Sequence, residues 1–175
     1  MPAVLFGSIS TLADTSELQR QAFNEAFADS GLDWEWSRED YIAMLSSSGG
    51  AQRIQDYAQA RAQVVEAAVH ARKSEIFQRL LADSTVTPRQ GVIDTIAEAR
   101  RNQHKVGFVT TTSLANVDAL LSALEPEISA ETFDLIVNQE SVSAAKPSAA
   151  AYEFALEKLG ERADSTVAIE DNLGG

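Results

Sequence analysis

Apolar and polar residues follow two patterns along this chain. Short apolar runs bounded by polar residues predict buried β-strands at residues 3–6, 105–109, 133–137 and 166–169. Between the later runs, apolar residues recur at spacings of three and four, which predicts helices over about 92–101 and 116–124 and from Pro147 onward. Strands that alternate with helices are typical of a parallel sheet wound with helices, so the pattern predicts an α/β fold.

The stretch from about residue 16 to residue 84 interrupts this alternation, because its pattern is helical throughout. An insertion directly after the first strand overhangs the edge at which parallel strands end, where it can serve as a lid. We therefore expect residues 1–14 and 89–175 to form a discontinuous α/β core and residues 15–88 to form a helical cap. Within the cap, Ser37 followed by Asp40 resembles a capping box and predicts a helix start.

Composition narrows the class of protein. The 175 residues are 45% apolar and 23% charged, which is ordinary for a globular domain. The net charge of 14 − 26 = −12 argues against binding to nucleic acid or to an anionic membrane. The absence of cysteine excludes disulfides, thiolate metal sites and cysteine nucleophiles. Because neither a signal peptide nor a membrane span is recognisable, we expect a soluble, cytoplasmic protein.

Four side chains follow strand ends or the loops beside them: Thr110, Lys146, Glu170 and Asp171. In a parallel sheet these positions share one edge, where ligands bind. A hydroxyl and an ammonium can hold phosphate, and paired carboxylates suit Mg²⁺. Each residue also has a plainer interpretation, as a turn threonine, a solvated lysine or an acidic helix cap. Their order along one edge favours a phosphate and magnesium site.

The motifs around these residues extend over essentially the whole chain. They are AFNEAF at 22–27, GLDWEW at 31–36, GG at 49–50 with Arg53, VTTTS at 109–113, KPS at 146–148 with Tyr152, and AIEDN at 168–172. Together they resemble the haloacid dehalogenase superfamily, and within it the CbbY-like and β-phosphoglucomutase-like sugar-phosphate phosphatases. The resemblance implies a Rossmannoid parallel-sheet core with an inserted α-helical cap.

The resemblance also implies roles for the residues at the sheet edge. Thr110, with Thr111 beside it, would bind phosphate, and Lys146 would steady both the nucleophile and the phosphate. Glu170 and Asp171 would be the Mg²⁺ ligands of the family.

Two further implications concern the cap and the end of the chain. In the cap, Arg53 and Lys73 would face the substrate. The family continues with one more helix and strand, so the resemblance implies that the core ending at Gly175 is C-terminally incomplete.

The first motif departs from the family pattern of Asp-x-Asp-Gly-Thr-Leu. Gly7 stands where the family has the nucleophilic aspartate, and Ile9 stands where it has the acid/base aspartate. Glycine cannot attack phosphorus, and isoleucine can neither give nor take a proton. Mg²⁺ would also lose a carboxylate ligand, so we expect weak or absent binding of this metal. Other departures are Ser10, Ser16, Gln19, Ala51 and Ala150.

Three functional hypotheses follow. The first is a catalytically silent pseudoenzyme that keeps phosphate or a small sugar phosphate as its ligand. The second is an active Mg²⁺-dependent phosphatase with an unorthodox nucleophile; Ser8 and Ser10 are hydroxyls in the right loop, but neither His70 nor His104 lies near a motif to act as their base. The third is a gene fragment without a function. The Gly7 and Ile9 pair favours the first.

Overall fold

The computed structural model describes residues 2–45 and 49–172. Within these ranges the strands are β1 (Ala3–Phe6), β2 (Lys105–Val109), β3 (Leu135–Val137) and β4 (Thr166–Ile169). The α-helices are α1 (Ile9–Leu12), α2 (Ser16–Asp29), α3 (Arg38–Met44), α4 (Gly50–Ala60), α5 (Ala67–Ala82), α6 (Val92–Arg101), α7 (Leu114–Leu124) and α8 (Ala150–Leu159). Short 3₁₀ turns cover Ala130–Thr132, Gln139–Ser141 and Ala163–Ser165.

The four strands form one parallel sheet in the order β3-β2-β1-β4. In the centre of the sheet, Leu5 lies opposite Gly107 on one side and Ala168 on the other. This architecture confirms the predicted α/β class and its Rossmannoid sheet. Because all strands run the same way, their carboxyl ends meet at one edge, which places Gly7, Thr110 and Glu170 there.

Helices cover both faces of the sheet, because successive strand residues point to opposite sides. One apolar cluster contains Phe6 and Phe108 together with buried residues of α6 and α7. The other contains Leu5 and Val109 together with buried residues of α8. Strands β1 and β2 are therefore largely buried between the two clusters, whereas the edge strand β4 is only partly buried.

Helices α2 to α5, which we call the helical segment, lie in the chain between β1 and β2. Their interior is aromatic, and the rings of Phe23 and Trp36 lie 4.7 Å apart between centroids. The Ser37 hydroxyl accepts a hydrogen bond from the Asp40 amide, which confirms the predicted cap of α3. The segment is joined to α7 by a hydrogen bond from the Gln78 amide to the Asn116 side chain, at 2.9 Å.

The structure corrects some predicted boundaries. A one-turn helix, α1, replaces the loop expected after β1, because the Ser8 hydroxyl caps it by accepting from the Thr11 amide at 3.2 Å. Strand β3 begins two residues later than predicted, since Phe133 ends a 3₁₀ turn. Helix α7 begins at Leu114, where the Ser113 side chain caps it. None of the helices in the described ranges is long and apolar enough to cross a membrane.

Candidate active site

An ion pair lies at the base of the site. The Lys146 ammonium contacts the Glu170 carboxylate, donates to the Gly7 carbonyl and lies 3.3 Å from the Tyr152 hydroxyl. The side chains of Lys146 and Glu170 are only 12% and 15% exposed. Burial lowers the pKa of Lys146, and the hydrogen bond with Glu170 opposes that shift. The alternative interpretation of Lys146 as a solvated surface lysine is therefore wrong.

The Glu170 carboxylate fills the space that a side chain at position 7 would need. A Cβ atom added to Gly7 would lie 2.0 Å from both Cδ and Oε1 of Glu170, and 2.3 Å from the Tyr152 hydroxyl. The Tyr152 hydroxyl also donates to Glu170 Oε1. Burial and this carboxylate both raise the pKa of Tyr152, so it stays protonated and keeps donating.

The second acid of the predicted pair has a different partner. The Ser8 hydroxyl donates to Asp171 Oδ1 at 2.6 Å, while it also caps α1. Ser8 is thus more than a loop residue that satisfies its own backbone, since it binds a carboxylate across the sheet edge. Ile9 points elsewhere, because its side chain is 6% exposed and belongs to the larger apolar cluster.

The predicted phosphate ligands lie beside Lys146. Thr110 is 5% exposed, and its hydroxyl accepts a hydrogen bond from the Thr112 amide at 3.3 Å. The Thr111 hydroxyl accepts from the Lys146 amide at 3.4 Å. The structure therefore brings Thr111 into contact with Lys146, with Thr110 next to Thr111 at the end of β2, and both threonine hydroxyls accept hydrogen bonds from backbone amides.

The helical segment contributes buried cationic side chains. Lys73 is 5% exposed, donates to the Gln19 side chain, and lies 4.7 Å from the Phe23 ring centroid. Arg53 is 8% exposed and donates to the Met44 carbonyl at 3.1 Å. Burial lowers the pKa of Lys73 to about 7, and the charge of Arg53 adds to that shift.

Two other titratable groups of the segment lie near these cations. Burial, with the charge of Lys73, lowers the pKa of His70 to about 4, so this imidazole is neutral at pH 7. Tyr41 lies beside Arg53, whose guanidinium is 5.6 Å from the Tyr41 ring centroid. Burial raises the pKa of Tyr41 to about 12, while Arg53 opposes and Asp171 reinforces that shift. One phenol thus lies within electrostatic range of both Arg53 and Asp171.

The buried ammonium of Lys73 predicts a pH-dependent stability. Its pKa is about 7 in the folded protein against an ordinary 10.5, so between these values the unfolded chain binds a proton that the folded chain does not. The free energy of unfolding should therefore rise from pH 7 to pH 9.5, at up to about 1.4 kcal/mol per pH unit.

Denaturant unfolding at pH 7, 8 and 9 measures this slope. Lys73→Met should flatten it, whereas Lys158→Met, which removes an exposed lysine on α8, should leave it unchanged. An equal slope in the Lys73→Met variant would contradict the buried-ammonium interpretation.

The two predicted Mg²⁺ ligands have other partners in this structure. Glu170 is turned toward Lys146, Asp171 accepts from Ser8, and Gly7 offers no carboxylate. Over residues 2–45 and 49–172, no group of three or more acidic or histidine side chains could hold a metal ion.

Comparison with known proteins agrees with the fold. The family model of haloacid dehalogenase-like hydrolases matches residues 1–175. The chain belongs to the haloacid dehalogenase-like hydrolase family, which confirms the resemblance found in the sequence. Within it, the chain resembles CbbY proteins: it is 41% identical to Protein CbbY of Cereibacter sphaeroides, over 99% of this chain and 77% of that protein.

Solved structures also show similarity to CbbY proteins. CbbY from Rhodobacter sphaeroides in complex with phosphate superimposes with a TM-score of 0.86 at 39% identity, over 100% of this chain and 80% of the other. A mutant of that protein in complex with xylulose-(1,5)bisphosphate matches with the same values.

Sequence reasoning missed two groups of the site. The sequence places Tyr152 in a motif but does not predict its hydrogen bond to Glu170. Tyr41 was not singled out at all, because one aromatic residue in a helical stripe looks like core. For Tyr152 the sequence does offer a hint, which is Gly7: a missing side chain at a crowded strand end leaves room for a neighbouring side chain.

Proposed function

We propose that this chain binds phosphate or a small sugar phosphate and does not hydrolyse it through an aspartyl phosphate. One observation carries this proposal: the place of a nucleophile at position 7 is filled by the Glu170 carboxylate. An acyl phosphate needs a carboxylate that is free to attack phosphorus, and Glu170 Oε1 is already bound to Lys146 and Tyr152.

The choice of ligand rests on the retained cations. Lys146, with Thr110 and Thr111, is the proposed phosphate side of the pocket. Arg53 and Lys73 are the proposed cap side, and residues 15–88 the proposed cap. The CbbY structures with phosphate and with xylulose-(1,5)bisphosphate support this class of ligand. We expect weak or no binding of Mg²⁺, and the cytoplasmic location remains a prediction of the sequence.

A phosphate-release assay tests the proposed loss of turnover. The purified chain is incubated with Mg²⁺ and a panel of sugar monophosphates and bisphosphates, beside an active CbbY protein. Loss of a nucleophile costs about 10⁴ to 10⁶ in rate, so we expect release at the uncatalysed background. Turnover that vanishes with EDTA and persists in Ser8→Ala and Ser10→Ala variants would overturn the proposal and reveal another nucleophile.

Binding is measured separately, on the same panel, by NMR titration of backbone amides near Thr111 and Lys146. We expect affinities in the millimolar range, corresponding to roughly 4 kcal/mol. Amides that stay unchanged with every compound of the panel would show that the pocket is only a vestige.

A further inference from the structure

The position of the Glu170 carboxylate depends on the absence of a side chain at Gly7. The Glu170 carboxylate lies where any side chain at position 7 would have to be, within 2.0 Å of an added Cβ. Only a residue without a side chain leaves this space open, so the exchange of aspartate for glycine and the inward position of Glu170 form one structural feature. A carboxylate is therefore still present next to Lys146, although it comes from the end of β4 instead of the end of β1.

All three N–H donors of the Lys146 ammonium have acceptors in this arrangement. An ammonium group has three N–H donors. Here it has three partners, which are the Gly7 carbonyl, Glu170 Oε1 and the Tyr152 hydroxyl. A phosphate that reaches Lys146 must displace one of them.

Glu170 is the partner that can leave. The Gly7 carbonyl belongs to the backbone at the end of β1, and Tyr152 is fixed on α8. Glu170 has a flexible side chain, and its second oxygen, Oε2, is buried without a hydrogen-bond partner among the described residues. A buried acceptor without a donor is unfavourable, which lowers the cost of moving this carboxylate away.

We infer that Glu170 is an internal competitor for the phosphate position: its carboxylate replaces the missing side chain at position 7 and holds Lys146 until an anion displaces it. This inference rests on the proposed phosphate-binding function. It makes Glu170 a residue that sets affinity and specificity, because a ligand must bind Lys146 more strongly than a carboxylate already in place. A dianionic phosphate meets that condition better than a singly charged anion of similar size.

The first test is the affinity for inorganic phosphate, without Mg²⁺, of the wild type and of E170Q. The amide keeps the shape of the side chain and removes its charge. We expect phosphate to bind E170Q about tenfold more tightly, since the competing bond is one to a charged group. D171N is the matched control: it removes the same charge one residue away, from an acid held by Ser8, and should change affinity by at most about threefold.

A second variant tests whether moving the Glu170 carboxylate, without changing its charge, also affects phosphate binding. G7A adds a methyl group that clashes with the Glu170 carboxylate and also with the Tyr152 hydroxyl, so it displaces the carboxylate from Lys146 with a shift of the Tyr152 side chain, and it alters no charge. We expect it also to tighten phosphate binding, by about threefold to tenfold. It still tests the inference if E170Q fails to fold, which thermal unfolding of each variant will show.

The outcomes separate this inference from the proposed function. Equal phosphate affinities of the wild type, E170Q and G7A would overturn the competitor role and leave phosphate binding intact. An equal gain in phosphate affinity in D171N and E170Q would also overturn it. The effect would then come from removing a negative charge near the site and not from the contact between Glu170 and Lys146. No binding of phosphate by any of the four proteins at about 50 mM would overturn the inference and, if the sugar phosphates also fail to bind, the proposed function.

Discussion

Replacing Lys146 with methionine is expected to lower the free energy of unfolding by about 3 kcal/mol. The Glu170 side chain is 15% exposed, so the variant leaves its carboxylate largely buried, with only the Tyr152 hydroxyl as a partner among the described residues. Removing one member of a buried ion pair is costly, since the remaining charge keeps its desolvation penalty and loses the attraction that offset it. Chemical denaturation at pH 7 measures the change.

Two controls show whether the ion pair is responsible. Adding E170Q to the Lys146→Met variant removes the stranded charge and should recover a large part of the lost stability. Arg162→Met breaks the exposed pair with Asp164, whose partners are 82% and 63% exposed, and should have no measurable effect. A Lys146→Met variant as stable as the wild type would contradict the buried pair.

Replacing Ile9 with aspartate should also lower the free energy of unfolding by about 3 kcal/mol. The family has its acid/base aspartate at this position, but in this chain the side chain packs in the apolar cluster. A carboxylate there would lose its hydration without gaining an evident partner. Restoring the first motif with Gly7→Asp and Ile9→Asp is thus expected to destabilise the protein before it can restore activity.

Urea denaturation distinguishes this effect from ordinary loss of packing. Ile9→Val removes one methyl group and should cost about 1 kcal/mol. Ile9→Asn, which has the size of aspartate without the charge, should fall between valine and aspartate. If Ile9→Asp were as stable as Ile9→Val, the side chain at position 9 would be facing solvent or a polar pocket.

Much of the fold could be predicted from the sequence, because strands and helices leave direct hydrophobic patterns. The runs at 3–6, 105–109 and 166–169 became strands with those bounds. The short helix α1 could not be predicted in this way, since its four residues are too few for a periodic stripe and it depends on one hydroxyl cap. The division into core and cap stays a prediction.

The sequence could predict which residues lie near the carboxyl ends of the strands, but not the contacts that they make. Parallel strands bring Thr110 and Glu170 to one edge whatever the side chains do, and a resemblance to a family then suggests roles. The pairing of Glu170 with Lys146 and Tyr152 is different, because it depends on a vacancy of a few ångströms beside Gly7. The buried setting of Lys73 likewise depends on how α5 packs against α2, which no local pattern encodes.

A crystal structure of the protein soaked in Mg²⁺ without phosphate tests the central claim most directly. We predict that the Glu170 carboxylate lies against the Cα atom of Gly7, within hydrogen-bonding distance of Lys146 and the Tyr152 hydroxyl, and that Asp171 remains bound to Ser8. An octahedral Mg²⁺ ion on Asp171 in the absence of phosphate, with Glu170 turned away from Gly7 and Lys146, would contradict the account.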